Sequence, residues 1–311
     1  MDLVFFGSGA FGLPTLEALA REHRVVGVVT QPDRPAGRGG KLTPTPIGAW
    51  AAANMPGVPL LKPEDVNEAG VMARVRALPA GAWVVIAFGQ KLSPALLADR
   101  FAINLHASLL PRWRGAAPIN RAMLAGDAET GNSVITLAER MDAGLVLGQS
   151  RREIERMQTA GELHDALAGD GPALVRDVLA RHGAGTLRGH AQDESRVTLA
   201  KKLSKQEGVV EFAWGADEVR RRVHGLNPWP GVTVTFRGEG VKVLRVKVAA
   251  DKSQEAGGTV IDAARGLVAC GAGTTLELFE VQPAGRKAMG WGDFARGARV
   301  AAGERFVGGG A

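Results

Sequence analysis

The hydrophobic pattern of this chain falls into two textures that meet near residue 206. Before that point, short apolar runs at 3–6, 25–29 and 83–88 alternate with stretches of helical periodicity. Such runs suit strands covered on both faces. Leu13, Leu16, Leu19 and Ala20 recur at helical spacing, a helical stretch at 63–78 carries Val66, Val71, Ala73 and Val75, and another at 161–182 carries Leu163, Ala166, Leu167, Leu174 and Leu179. Strands and helices in alternation predict an α/β unit built on a parallel sheet. Beyond residue 206, an amphipathic helix at 216–226 precedes short β-rich runs at 232–236, 241–248, 259–261, 267–270 and 274–281. Short strands separated by glycine turns predict a small closed β-barrel, OB-like in kind. An aperiodic Gly- and Asp-rich stretch followed by a basic one sets the expected boundaries: an N-terminal domain over 1–189, a linker over 190–206 and a C-terminal domain over 207–311.

Within the first texture, residues 101–106 (Phe-Ala-Ile-Asn-Leu-His) alternate as a short strand does. Asn104 and His106 are two apart and so leave it on one face. A stiff loop follows, Ser108-Leu-Leu-Pro-Arg-Trp-Arg-Gly-Ala-Ala-Pro118, in which Pro111, Gly115 and Pro118 stop any regular element. Residues 133–138 read as another strand, followed by a turn that holds Asp142 and Gly144. If the two strands are neighbours, Asp142 reaches the imidazole. A carboxylate there orients the ring and favours its charged form, while amide and imidazole donate to developing negative charge. A lone strand histidine is more often a satisfied core residue, and a lone turn aspartate is more often solvated. Asn104 on the same face, and the unusual loop beyond, favour a reaction centre.

Two other stretches are more ambiguous. Gly7-Ser-Gly-Ala-Phe-Gly12 is a literal G-x-G-x-x-G between a strand and a helix. A dinucleotide site would place an acidic residue after the second strand, where this chain has Thr30-Gln31. A tight strand-to-helix turn, with no nicotinamide cofactor, is the better reading. Residues 31–46 form a long loop with Arg34, Arg38 and Lys41 among prolines and glycines. It suits phosphate contact, because cations neutralise the charge and glycine admits close backbone approach. A solvated insertion accounts for it equally well.

Composition narrows the classes. The 311 residues exceed one ordinary domain, and 45% hydrophobic with 23% charged residues is the make-up of a globular protein with ample core. A net charge of +6 mildly favours a polyanionic partner. The single cysteine, Cys270, leaves no internal disulfide framework, suits a reducing cytoplasm, and lies in an apolar run that predicts a buried thiol. No apolar run reaches the roughly 18 residues of a membrane span, and the N-terminus does not read as a signal peptide. The six histidines lack metal-ligand spacing.

Asn104-x-His106-x-Ser-Leu-Leu-Pro-x-Trp-Arg-Gly-Ala-Ala-Pro, with Asp142-x-Gly144, closely resembles the motif of the folate-dependent formyltransferases. The similarity runs nearly end to end, and Asn227-Pro-Trp-Pro230 and residues 282–289 match stretches of the tRNA-formylating members. The resemblance implies a Rossmann-like first domain without a dinucleotide. It implies transfer of a formyl group from 10-formyltetrahydrofolate to the α-amine of initiator methionyl-tRNA, with no metal and no membrane involved, and we expect a cytoplasmic monomer. Catalytic roles are thereby implied for Asn104, His106 and Asp142. Folate contacts are implied for Ser108, Leu109, Leu110 and Pro111, and for Phe88, Gln90 and Leu92 beyond the 83–88 run. Arg38 and Lys41 become candidates for RNA contact. Ala107 departs from a position where glycine is common, and Val-Leu-Gly-Gln at 146–149 replaces a more polar run. Arg220-Arg221-Arg222 reads either as a solvated helix face or as an extension of an RNA-facing surface. Three rivals remain: a sister enzyme formylating glycinamide ribonucleotide or a sugar-nucleotide amine, a dehydrogenase, and a pure RNA-binding module.

Overall fold

In the computed structural model, which describes residues 1–37 and 39–309, the strand Ala82–Ile86 is buried at every position and is the fourth of seven strands in one sheet. The chain divides into two units. The first takes Met1–Gly115, Thr130–Arg152 and His164–Leu199; the second takes Ala116–Glu129, Glu153–Leu163 and the chain from Ala200 onward.

The sheet of the first unit runs in the order Val146–Glu153, Glu129–Thr136, Ala102–His106, Ala82–Ile86, Asp2–Gly7, Arg24–Val29, Leu60–Leu61. From Ala102–His106 to Leu60–Leu61 all neighbours are parallel, so their carboxyl ends emerge at one edge, where open α/β sheets hold ligands. Glu129–Thr136 is antiparallel to Ala102–His106 and places Ile135 opposite Asn104 and Ser133 opposite His106. Val4, Phe6, Trp83, Val85, Phe88 and Leu96 pack in one core cluster. This is the parallel, Rossmann-like arrangement that the alternating pattern predicts.

The glycine fingerprint is a tight turn. Ser8 and Gly9 donate their backbone N–H groups to the Ala87 carbonyl at 3.2 and 3.4 Å, so the donors that a phosphate would need are already engaged. Gly7 is required there, because a Cβ would lie 2.9 Å from the Ile86 carbonyl oxygen. Two elements differ from the sequence reading. The helix expected over 63–78 is confined to Ala69–Arg76, because the Gln90 side chain takes the Val66 N–H (2.7 Å) and donates to the Pro63 carbonyl (3.1 Å), removing those groups from a helical ladder. The loop at 31–46 contains a two-stranded ribbon, Arg34–Ala36 against Lys41–Thr43, anchored at its base by an Asp33–Lys62 pair at 2.7 Å and by an Arg34–Glu64 pair. Arg38 lies outside the described residues.

The second unit is a curled antiparallel sheet in the order Val260–Asp262, Leu267–Ala269, Thr275–Pro283, Glu239–Ala249, Val232–Phe236, Phe306–Val307. Register shifts beside Arg245 bend the long strand Glu239–Ala249. The two ends of the sheet meet: Thr259 bridges Arg305, and Val260 N–H donates to the Glu304 carbonyl at 2.8 Å. Contacts of this kind curl the sheet toward closure, and the result is the small barrel-like domain expected of the β-rich texture. Val219, Val223, Val234, Val246, Leu278, Trp291 and Phe306 fill it. Cys270 is buried here, and burial pushes its thiol up to about 12. The arginine run on Ala216–Gly225 is engaged within the unit. Arg220 bonds Asp217 and the Arg156 carbonyl, Arg221 bonds the Ala125 carbonyl, and Arg222 bonds the carbonyls of Val209 and Glu207. No helix among the described residues is long and apolar enough to cross a membrane.

Candidate active site

The strand Ala102–His106 has apolar neighbours on both sides and delivers two polar side chains to the same face. His106 is almost fully buried, and its Nε2 donates to the Trp113 carbonyl at 2.8 Å. Its Nδ1 faces Asp142 Oδ2 at 3.6 Å, beyond hydrogen-bond distance. The same Oδ2 accepts the Gly115 N–H at 2.9 Å. Asp142 is therefore held close to the ring, with its side chain only 13% exposed. The half-buried Asn104 amide makes no side-chain hydrogen bond among the described residues, so an amide donor and acceptor remain open beside the ring.

The loop after His106 is stiffened by its own hydrogen bonds. Ser108 is fully buried and its hydroxyl donates to the Arg112 carbonyl at 2.6 Å. Ser133, opposite His106 in the sheet, accepts from Leu110 N–H at 3.0 Å and donates to the Ser108 carbonyl at 2.6 Å. Gln149 then donates to the Leu110 carbonyl and to Ser133 Oγ at 3.0 and 2.8 Å. Trp113 takes a left-handed backbone, φ 64°, and Asp142 does likewise at 54°. Such conformations are costly for residues with a Cβ and persist when the surroundings over-determine them.

Of the residues expected to line a folate site, the structure gathers some and diverts others. Leu110 packs against Ile135 and Val146, while Phe88 and Leu92 lie in the core cluster beneath the sheet edge. The Gln90 side chain is committed to the 63–66 backbone. Leu109 and Pro111 are half-buried. The backbone of 88–92 remains at the correct sheet edge, and the Phe88 carbonyl accepts from Ser8 Oγ at 2.9 Å and from Gln31 Nε2 at 3.2 Å. Lys41 is exposed on the ribbon.

Sequence reasoning missed the groups that hold the trio. Two are backbone, the Trp113 carbonyl and the Gly115 N–H, and no residue type announces them. Others come from residues 192–198. Gln192 donates to the carbonyls of Asp142 and Gly144, and Thr198 accepts the Trp113 N–H at 2.9 Å. Arg114 is buried with its charge met by Glu194 at 2.8 Å; Arg114, joined by Arg140, holds the Glu194 carboxyl below the usual carboxylate range. The period-two and helical patterns carry no signal for such contacts.

Comparison with known proteins gives the lineage. Residues 1–179 match the formyl transferase family model and residues 202–299 match the model of the formyl transferase C-terminal domain. The chain is 41% identical over 310 residues to a methionyl-tRNA formyltransferase of Methylococcus capsulatus, covering 98% of this chain and 99% of that protein. It is 42% identical over 306 residues to a methionyl-tRNA formyltransferase of Anaeromyxobacter dehalogenans, covering 96% and 97%. Among solved structures, an N-formyltransferase from Helicobacter canadensis, in complex with folinic acid and dTDP-3-aminofucose, superposes with a TM-score of 0.67 at 14% identity, covering 90% of this chain and 98% of that one. HypX from Aquifex aeolicus superposes with a TM-score of 0.64 at 12% identity over 95% of this chain, which spans 48% of HypX. Those two likenesses establish the fold. With both domain models matched in order and such identity over nearly its whole length, the chain belongs to the methionyl-tRNA formyltransferase family.

Proposed function

We propose that this protein transfers a formyl group from 10-formyltetrahydrofolate to the α-amino group of methionyl-tRNA, the initiator tRNA of translation, and acts as a cytoplasmic monomer. The observation that carries the reading is one strand face on which an unpartnered Asn104 amide stands beside His106, whose ring is held between a carbonyl and the Asp142 carboxylate. The folate donor supplies an activated formyl carbonyl at the sheet edge. Asn104 donates to its oxygen as negative charge develops. His106 donates to the same oxygen through Nε2, giving up the Trp113 carbonyl to do so. Asp142 keeps the ring oriented and takes part in moving the proton from the attacking amine to N10 of the departing tetrahydrofolate as the formyl C–N10 bond breaks, in a setting that Gly115 and Gln192 hold fixed. The backbone of 88–92 and the Ser108–Pro111 turn are the folate-facing segments, and Arg38 and Lys41 are the candidate cations for RNA contact.

Formylation of charged initiator tRNA, compared with small amines, tests the reading directly. Asn104→Ala and Asp142→Ala are each expected to lower kcat by roughly 100- to 1,000-fold, the usual cost of one such group, and their combination to cost less than the product. Wild-type turnover in either variant removes that residue from the scheme. Equal turnover of a sugar-nucleotide amine would transfer the reading to the sister enzymes.

A further inference from the structure

The trio is held by a segment that offers no group to the reaction, and one side chain in that segment spends both of its N–H groups on the turn that carries Asp142. Gln192 Nε2 donates to the Asp142 carbonyl at 2.7 Å and to the Gly144 carbonyl at 2.8 Å. Its Oε1 accepts Arg114 Nε–H at 2.9 Å. A guanidinium can only donate and a carbonyl can only accept, so the amide has one possible orientation between them. Arg114 is fixed in turn by Glu194, which takes two of its N–H groups at 2.8 and 3.4 Å. We propose that Gln192 is a positioning residue for formyl transfer: its amide clamps the turn that sets the Asp142 carboxylate against His106, and Arg114 keeps that amide pointing the right way.

Three observations support the clamp. The left-handed Asp142 backbone, at φ 54°, follows an exposed stretch at 138–141 and precedes an alanine, so its neighbours in sequence do little to hold it. Gln192 bonds on both sides of that alanine, at Asp142 and Gly144. Across the turn, Gly144 lies so close to the Thr136 carbonyl that a Cβ would stand 1.7 Å from its oxygen, so the turn is pinned from the sheet as well. The acceptor on the other side of the ring depends on the same segment: Trp113 N–H donates to Thr198 Oγ1 and Arg114 N–H to the Thr198 carbonyl, both at 2.9 Å. Residues 192–198 thus fix both acceptors between which the imidazole sits. Loss of the Gln192 clamp would let Asp142 drift from the ring without touching either substrate, and a drift of about 1 Å costs on the order of 100-fold in rate.

The proposal rests on the formyltransferase reading, and Gln192→Glu tests it. Glutamate keeps the shape and the Arg114 partner but turns a carboxylate oxygen toward two carbonyls. The expected result is a fall in kcat of about 10- to 100-fold, KM for the folate donor and for charged tRNA within about twofold of wild type, and a cooperative thermal melt at a somewhat lower midpoint. Gln192→Ala, which leaves the two carbonyls without a donor while Glu194 still holds Arg114, is expected to lose kcat to the same extent and serves if the glutamate variant does not fold. Full kcat in either variant, or raised KM values with kcat preserved, overturns the positioning role. Absence of formylation by the wild-type protein in the same assay overturns the formyltransferase reading itself.

Discussion

Two glycines separate what this fold needs from what it merely tolerates. Gly144 lies against the Thr136 carbonyl with no room for a methyl group, whereas a Cβ on Gly169, within the helix Ala160–Gly183, would meet nothing within 4 Å. Gly144→Ala is expected to destabilise the protein by about 1–3 kcal/mol through overpacking and to abolish most turnover, because the displaced turn carries Asp142. Gly169→Ala is expected to stabilise by up to about 1 kcal/mol, since alanine is the better helix former. Thermal melts of the two variants beside an activity assay check both. At this scale the trio was legible because amide, imidazole and carboxylate are side-chain chemistry and period two puts the first two on one face. Phe88, Leu92 and Leu110 were less legible. Apolar residues at a sheet edge read the same whether they face a ligand or pack in a core, and these three belong to core clusters.

Among the elements, the ribbon Arg34–Ala36 and Lys41–Thr43 is one the pattern did not predict. Its strands are three residues long, and their pairing is settled by turn geometry and by two ion pairs at the base rather than by an apolar stripe. Lys41 and Leu42 stand exposed near its tip. Lys41→Ala is expected to raise KM for charged tRNA, to reduce the salt slope of tRNA binding by about one, and to leave folate KM unchanged; paired titrations at two salt concentrations read all three. A common loss in both substrates would take the ribbon out of RNA recognition. Helix starts can carry local signals: Thr45 and Ser93 accept the backbone N–H groups of Gly48 and Leu96, each just ahead of a proline in the first turn. The stretch 63–78 misled because its apolar spacing is helical while Gln90, distant in sequence, claims the backbone of its first residues.

For the molecule as a whole, the second unit carries an acid-sensitive group at its core. His224 is fully buried, and burial, followed by the nearby Arg220 charge, pushes its imidazole down to about 4. It sits neutral, donating from Nδ1 toward the Arg156 carbonyl and accepting the Val246 N–H at Nε2. Above the unfolded value near 6.5 this contribution is complete. As pH falls below it the unfolded chain takes up a proton that the folded chain refuses, and by about pH 4 a contribution on the order of 3 kcal/mol is gone. The melting midpoint of the second unit is therefore expected to drop between pH 6.5 and 4, and His224→Gln, which does not titrate, is expected to flatten that dependence; calorimetry across the range decides it. Glu162, pulled down to about 2 chiefly by its bond to Arg245, adds its own loss only in stronger acid.

The second unit is assembled from three separated pieces of chain, two of which lie between segments of the first. The helix Pro118–Ala125 leaves the ribosome early, yet Asn120 on it donates to the Gly225 carbonyl, and Ala117 and Leu124 pack against a barrel core encoded far downstream. During vectorial synthesis those apolar groups must wait, uncovered, until the downstream barrel residues have been translated. A gene fragment that starts at residue 200 would encode a barrel missing part of its own wall, so truncation or fusion at the apparent joint between the two textures cuts through a folding unit rather than between two of them.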